Sequence, residues 1–144
     1  ELCYYLNWYS KCRMFSCALP PGLTAGMIKV IEIASSDEGE RRRRRLLSST
    51  DYFISKLRDI SIDIGKTCTW IVPYVFGDES KSLPICRYFI EEGILSSVIQ
   101  FPAVSKGQAR TRFFITSEHQ QCDLDMAVDK ITIAQKQFID ATDV

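Results

Sequence analysis

Several features that would announce a function are missing from this chain of 144 residues. There is one histidine, His119, and the six cysteines (Cys3, Cys12, Cys17, Cys68, Cys86 and Cys122) include no C-x-x-C pair. Structural zinc sites use paired, closely spaced ligands, so no metal is expected, and the cysteines read as buried free thiols in a reducing cytoplasm. Neither sign of charge is in excess: 18 basic and 18 acidic side chains balance. No global field therefore draws the chain to nucleic acid or to an anionic membrane. Apolar runs such as Trp70 to Phe76 are far too short to cross a bilayer, which points to a soluble, cytoplasmic protein. No initiator Met, charged n-region or apolar h-region opens the sequence, so Glu1 reads as the interior of a longer polypeptide. No internal repeat is present, and Arg41 to Arg45 is the one low-complexity tract. What the chain does have is 46% hydrophobic residues, enough for one domain with a real core.

Periodicity predicts the order helix, helix, strand, helix, strand, strand, helix, preceded by a short helix over residues 1–13 with Leu2, Tyr5, Leu6 and Tyr9 on its apolar face. Pro20 and Pro21 stand in the first turn of the next helix, where a missing N–H costs nothing, and Leu23, Met27, Val30 and Ile31 recur at helical spacing to about Ser35. Ser36 caps a long helix over residues 37–59, with acids in its first turn and an inward stripe of Leu46 or Leu47, Ser49 or Thr50, Phe53, Ile54 and Leu57. Residues 70–76 read as a strand that Pro73 assigns to an edge or a bulge. A helix over 80–92 follows, ended by Gly93, then strands over 94–101 and 110–117. The last helix spans about 122–138, with Leu124, Met126 or Ala127, Ile131 and Ala134 facing in. The expected fold class is α/β, more closely an α+β small domain. Its sheet is small and largely antiparallel, of three to four strands, with helices packed on one face.

Two arginines stand out against this background. In a strand, residues two apart share a face, so Arg110 and Arg112 project side by side at the start of a strand that continues through Phe113, Phe114 and Ile115. Guanidinium groups held on rigid backbone suit a carboxylate ligand, since each is a planar fork of donors. The five arginines of 41–45 read differently. On a helix they turn about 100° each and spray around the cylinder, and Asp37, Glu38 and Glu40 lie one turn before Arg41, Arg42 and Arg44. A solvated, self-neutralised helix start explains them better than a nucleic-acid or import signal.

Several stretches together resemble one family, the pyridoxal-phosphate-dependent α-oxoamine synthases. Phe15-Ser-Cys-Ala-Leu-Pro-Pro21 resembles F-S-x-x-L-P-P, Ser36-Asp-Glu-Gly39 resembles the next helix start, and Ile71-Val-Pro73 with Gly77-Asp78 is similar to an I-x-P strand followed by a G-D turn. Most specific is Pro102-Ala-Val-Ser-Lys-Gly-Gln-Ala-Arg-Thr-Arg112, similar to P-x-V-P-x-G-x-A-R-x-R, with Ser117-Glu-His119 near the family's A-A-H. The resemblance implies a lead-in over 1–19 from a missing N-terminal large domain, then the C-terminal small domain of a fold type I enzyme over 20–144. It implies an acyltransferase, a homodimer when complete, that joins an amino acid to an acyl-CoA thioester with pyridoxal 5'-phosphate as cofactor. In that family the second arginine of A-R-x-R binds the amino-acid carboxylate, a role that carries to Arg112, with Arg110 a secondary candidate.

Two departures qualify what this chain can do. The family's Schiff-base lysine follows a Ser/Thr-rich motif that is absent here, since Ser55-Lys56 and Ser105-Lys106-Gly107 lack that context. No cofactor-binding residue is therefore assigned, and the chain alone is expected neither to hold the cofactor covalently nor to catalyse. Ser105 stands where proline is usual and Gln120 where Thr often caps the last helix, so the loop and the cap are the weak points. His119 reads as a polar residue tying the strand end to the last helix. The alternative function is a non-catalytic binding or oligomerisation domain built on the same fold.

Overall fold

A computed structural model of the chain describes residues 1–14 and 16–142. Phe15, which opens the F-S-x-x-L-P-P stretch, and positions 143–144 at the end of the expected small domain lie outside the described residues. The chain divides into two compact units, Glu1–Glu40 and Arg41–Val144.

The first unit is helical. The helix expected over 1–13 is interrupted at Ser10, giving α1 (Leu2–Tyr9) and α2 (Lys11–Met14), because Ser10 takes an extended ψ of 110°. Helix α3 (Pro21–Ala34) starts on its proline pair, with Pro20 at the cap and Pro21 inside the first turn. Its recurring apolar residues Leu23, Met27, Val30 and Ile31 are all exposed. Helix α4 (Asp37–Asp59) begins one residue after Ser36, whose hydroxyl accepts the Gly39 N–H and donates to the Ile33 carbonyl. Gly39 is fixed by close approach: a Cβ there would lie 2.5 Å from the carbonyl oxygens of both Ile33 and Ala34. Only glycine lets α4 leave α3 so tightly.

The second unit holds the sheet and its core. Strands β1 (Ile71–Gly77), β2 (Ser97–Ile99) and β3 (Ala109–Phe114) form an antiparallel sheet in the order β1-β3-β2. Between them lie a 3₁₀ turn at Glu79–Lys81 and α5 (Ser82–Glu91), and the chain closes with α6 (Gln121–Ala134), a π turn over Gln135–Ile139 and a 3₁₀ turn over Asp140–Thr142. One sheet face supplies Val72, Tyr74, Thr111 and Phe113 to the buried interior, against Phe53, Ile54 and Leu57 of α4, Ile85 and Phe89 of α5, and Leu124, Val128 and Ile131 of α6. Phe113 sits at the centre, edge-on to Phe53 at 6.0 Å and to Phe89 at 5.3 Å between ring centroids.

Pro73 lies on an edge strand, as its chemistry requires, and β1 also carries a register shift between Val75 and Gly77. The Val75 N–H faces away from β3 and donates to the Asp63 carbonyl at 2.8 Å, and Ile71 N–H turns outward to Thr69 Oγ1. Pro73, two residues from each, sits at the outward position between them, where its missing N–H breaks no ladder bond.

Other expectations need correction. The strand expected over 94–101 is ordered as strand only at Ser97–Ile99, because Gly93 adopts φ +77° and Ile94 N–H turns back to the Phe89 carbonyl. The helix expected from Ser80 starts as a 3₁₀ turn capped by Asp78, which accepts the Ser80 N–H. Met126 points outward while Ala127 and Val128 face in, and α6 passes into the π turn before Phe138. The cysteines are not buried: five are exposed and Cys86 is half-buried, since none falls on an inward stripe. The cap of α6 is sound, because Asp123 accepts the Gln120 N–H at 2.8 Å.

Two measurements check this packing. Phe113→Ala removes the ring on which two others rest and is expected to cost about 3–5 kcal/mol in denaturant titration. Burial pushes the Tyr74 phenol upward and the Asp140 carboxylate adds to the shift, while its hydroxyl donates to Gln135 Oε1. The native state thus holds that proton more tightly than the unfolded chain. Its contribution is complete below about pH 10 and is lost as the pH climbs towards the raised native value. Tyr74→Phe should flatten the alkaline fall in unfolding free energy, and an unchanged slope would show that other groups govern it.

Candidate functional site

Because Phe113 must enter the core, its neighbours on β3 emerge on the other side of the sheet. That face is lined by Arg110, Arg112 and Phe114, with Ile71, Pro73 and Val75 opposite them on β1 and Ser97 and Ile99 on β2. None of these eight belongs to the buried core. The strand they share is central, so both arginines rise from backbone that is paired on each side.

The loop that delivers them is held at several points. The Phe101–Pro102 peptide is cis, and Ala103 N–H bonds back to the Gln100 carbonyl. Gly107 takes φ +74° and donates its N–H to Glu79 Oε1 at 2.9 Å, while its carbonyl lies 3.4 Å from where a Cβ on Gly77 would stand. Thus the Gly77-Asp78 turn and the Gly107 corner meet, and the strand starts at Ala109 in a fixed place.

The two arginines differ in what they have to offer. Arg110 is engaged with its own loop: Nε donates to the Gln108 carbonyl at 2.9 Å and one terminal nitrogen to Gln108 Oε1 at 3.2 Å. Arg112 makes one long bond, from a terminal nitrogen to Ser97 Oγ at 3.4 Å, and its guanidinium carbon lies 5.4 Å from the centre of the Phe114 ring. Its Nε is buried and has no partner. Solvent does not reach that atom, so an incoming carboxylate would meet the terminal nitrogens, whose one bond is the long one to Ser97, and could accept charge-assisted bonds there.

His119 is not part of this face. Its Nδ1 accepts the Thr116 N–H at 3.1 Å, so it ties the turn beyond β3, and it lines a half-open cavity of about 370 Å³ with Phe53, Ile94, Leu95, Leu124 and Ala127. The arginine tract lies elsewhere again, and Arg42 reaches Glu118 at 2.9 Å. Among the described residues no group of three or more His, Cys, Asp or Glu could hold a metal ion, and no helix is long and apolar enough to cross a membrane. Ser97, Phe114 and Glu79 were not singled out by sequence. Ser97 faces Arg112 only through the β2–β3 register, which a single strand pattern does not contain.

Comparison with known proteins agrees with the motifs. The pattern of the family "Aminotransferase class I and II" matches residues 3–131. The chain belongs to that family. It is 37% identical over 138 residues to the 8-amino-7-oxononanoate synthase of Thermoanaerobacter pseudethanolicus, covering 96% of this chain and 34% of that protein. It is 38% identical over 133 residues to a putative 8-amino-7-oxononanoate synthase of Bacillus cereus strain Q1, with 92% and 33% covered. The chain therefore spans about a third of the length of the curated relatives it matches. Among solved structures it superposes on Sphingomonas wittichii serine palmitoyltransferase with a TM-score of 0.84 at 18% identity, covering 93% of this chain and 34% of that one. Superposition on 8-amino-7-oxononanoate synthase of Francisella tularensis gives 0.72 at 20% identity, with 94% and 38% covered. The fold is that of these enzymes, and the α-oxoamine synthases, whose cofactor is pyridoxal phosphate, are the relatives that its motifs resemble.

A contrast of two variants separates a ligand-facing arginine from a structural one. Arg112→Ala should cost less than about 1 kcal/mol in denaturant titration, because the residue makes little beyond one long bond and a ring contact. Gly107→Ala should cost about 1–2 kcal/mol, because alanine must adopt the left-handed φ of that corner.

Proposed function

We propose that this chain is the C-terminal small domain, residues 20–144 with a lead-in over 1–19, of a pyridoxal-phosphate-dependent acyltransferase of the α-oxoamine synthase type. The complete enzyme, a cytoplasmic homodimer in this reading, condenses an amino acid with an acyl-CoA thioester, and the large domain lies outside these 144 residues. The observation that carries the reading is the Arg112 guanidinium on the central strand, whose terminal nitrogens make only one long bond, beside an Arg110 already engaged with its loop.

The residues present fit the substrate's carboxylate and not the cofactor. Lys56 and Lys106 lie over aromatic rings, of Tyr52 and Phe101, each 5.3 Å from the ring centre, and neither follows a Ser/Thr-rich motif. We therefore assign the covalent cofactor contact to the large domain and infer that the isolated chain is inactive. Pyridoxal phosphate, when bound, supplies the electron sink for the amino acid's Cα.

The contribution of this chain is orientation. A carboxylate gripped by Arg112 cannot rotate freely about the Cα, so the grip selects which bond at that carbon is labilised as well as adding affinity. The planar fork matters as much as the charge, since two parallel N–H bonds fix direction where a single ammonium does not.

Arg112→Ala in the complete enzyme is expected to lower kcat/KM for the amino acid about 10- to 100-fold, as loss of a charge-assisted bond implies. Arg112→Lys should recover only part of that. An unchanged kcat/KM in the alanine variant would sink the proposal.

A further inference from the structure

Arg112 is supported from two directions by residues that the motif does not contain. Ser97 faces it across the β2–β3 pairing, and its Oγ accepts from a terminal guanidinium nitrogen at 3.4 Å. Phe114 follows two residues later on the same strand face and brings its ring to 5.4 Å from the guanidinium carbon. One contact is made at a terminal nitrogen. The other acts on the ring-facing side. Between them they restrict the swing of the long side chain, and they leave the other terminal nitrogen without a bond among the described residues.

The arrangement has a physical logic. An arginine side chain carries about 2 kcal/mol of rotamer entropy, which an unrestrained arginine gives up when it binds. Ordering it in advance moves that cost out of the binding step. A long hydrogen bond to a hydroxyl is weak enough not to compete with a carboxylate, unlike the two bonds that hold Arg110 to Gln108. An aspartate or glutamate at position 97 would neutralise the guanidinium, whereas serine steadies it and leaves the charge available.

We propose that Ser97 and Phe114 are positioning residues for Arg112, presetting its guanidinium for an amino-acid carboxylate. This rests on the reading of Arg112 as the carboxylate grip. Ser97 acts through a hydrogen bond and Phe114 through its ring, so their effects should fall on amino-acid binding and not on the thioester substrate.

The test compares variants of the complete enzyme in steady-state kinetics and in equilibrium binding of the amino acid. Ser97→Ala should raise the amino-acid Kd and KM about 3- to 10-fold, on the scale of one hydrogen bond, with kcat and the acyl-CoA KM little changed. Ser97→Thr, which keeps the hydroxyl, should restore binding. Phe114→Leu, which keeps apolar bulk but removes the π face, should raise the same Kd about 2- to 5-fold. Thermal unfolding of each variant should stay near that of the parent, so a fold defect would not mimic the result. If Arg112→Ala weakens amino-acid binding while Ser97→Ala and Phe114→Leu leave it unchanged, the positioning role is overturned and the carboxylate reading stands. If Arg112→Ala itself has no effect, both fall. Equal losses in Ser97→Ala and Ser97→Thr would also overturn the role of the hydroxyl.

Discussion

Everything at the candidate site follows from the burial of one ring. Phe113 is held edge-on by Phe53 from α4 and Phe89 from α5, so two helices meet at a single β3 position. A strand alternates its faces with a period of two, and once Phe113 points into the core, Arg112 and Phe114 have no choice but the opposite face. A slip of one residue would drive a guanidinium into an apolar interior and bring Phe113 out of it. The hydrophobic core therefore sets the direction of the charged group, and sets it more firmly than any polar contact on the open face could. The loop ahead of β3 serves the same end, since Glu79 and Gly107 fix where the alternation begins.

Much of this was legible in the residues. Period-two spacing put Arg110 and Arg112 on one face, the acids after Ser36 marked the start of α4, and its bounds at Asp37 and Asp59 match the pattern of its stripe. Pro73 pointed to an edge or a bulge, and β1 has both. What could not be read locally depended on partners distant in sequence. β2 is short because Gly93 and Ile94 close onto α5, a contact that no strand propensity contains. The exposure of the cysteines depends on which helix face Cys3, Cys12, Cys86 and Cys122 fall on and on Cys17 and Cys68 lying outside the helices, and composition alone is silent about both. The same holds for the two arginines, whose equivalence in sequence ends with Gln108, a residue that occupies one and cannot reach the other.

The family assignment and the physical reading bear on different links of the argument. The match over residues 3–131 establishes ancestry, and the superpositions at 18–20% identity establish the fold. Neither says which side chain does what in this chain. That distinction comes from satisfaction of hydrogen bonds: of two arginines in one motif, one makes two bonds to Gln108 and the other a single long bond to Ser97. Among the described residues four buried side-chain atoms lack a partner, three of them hydroxyls on Ser82, Ser96 and Thr111, so it is the charge of Arg112 and its place at the motif's second arginine that carry weight.

The outward groups of β1 have a consequence for the behaviour of the molecule in concentrated solution. A bare sheet margin offers a row of donors and acceptors on which another chain can add a strand. Here Val75 already gives its N–H to Asp63, Ile71 gives its own to Thr69, and Pro73 between them has none to give. At the far margin β2 is only three residues long, too brief to template a stable pairing. The outward donors of β1 are thus occupied or absent and β2 is brief, and both features work against self-association by strand addition.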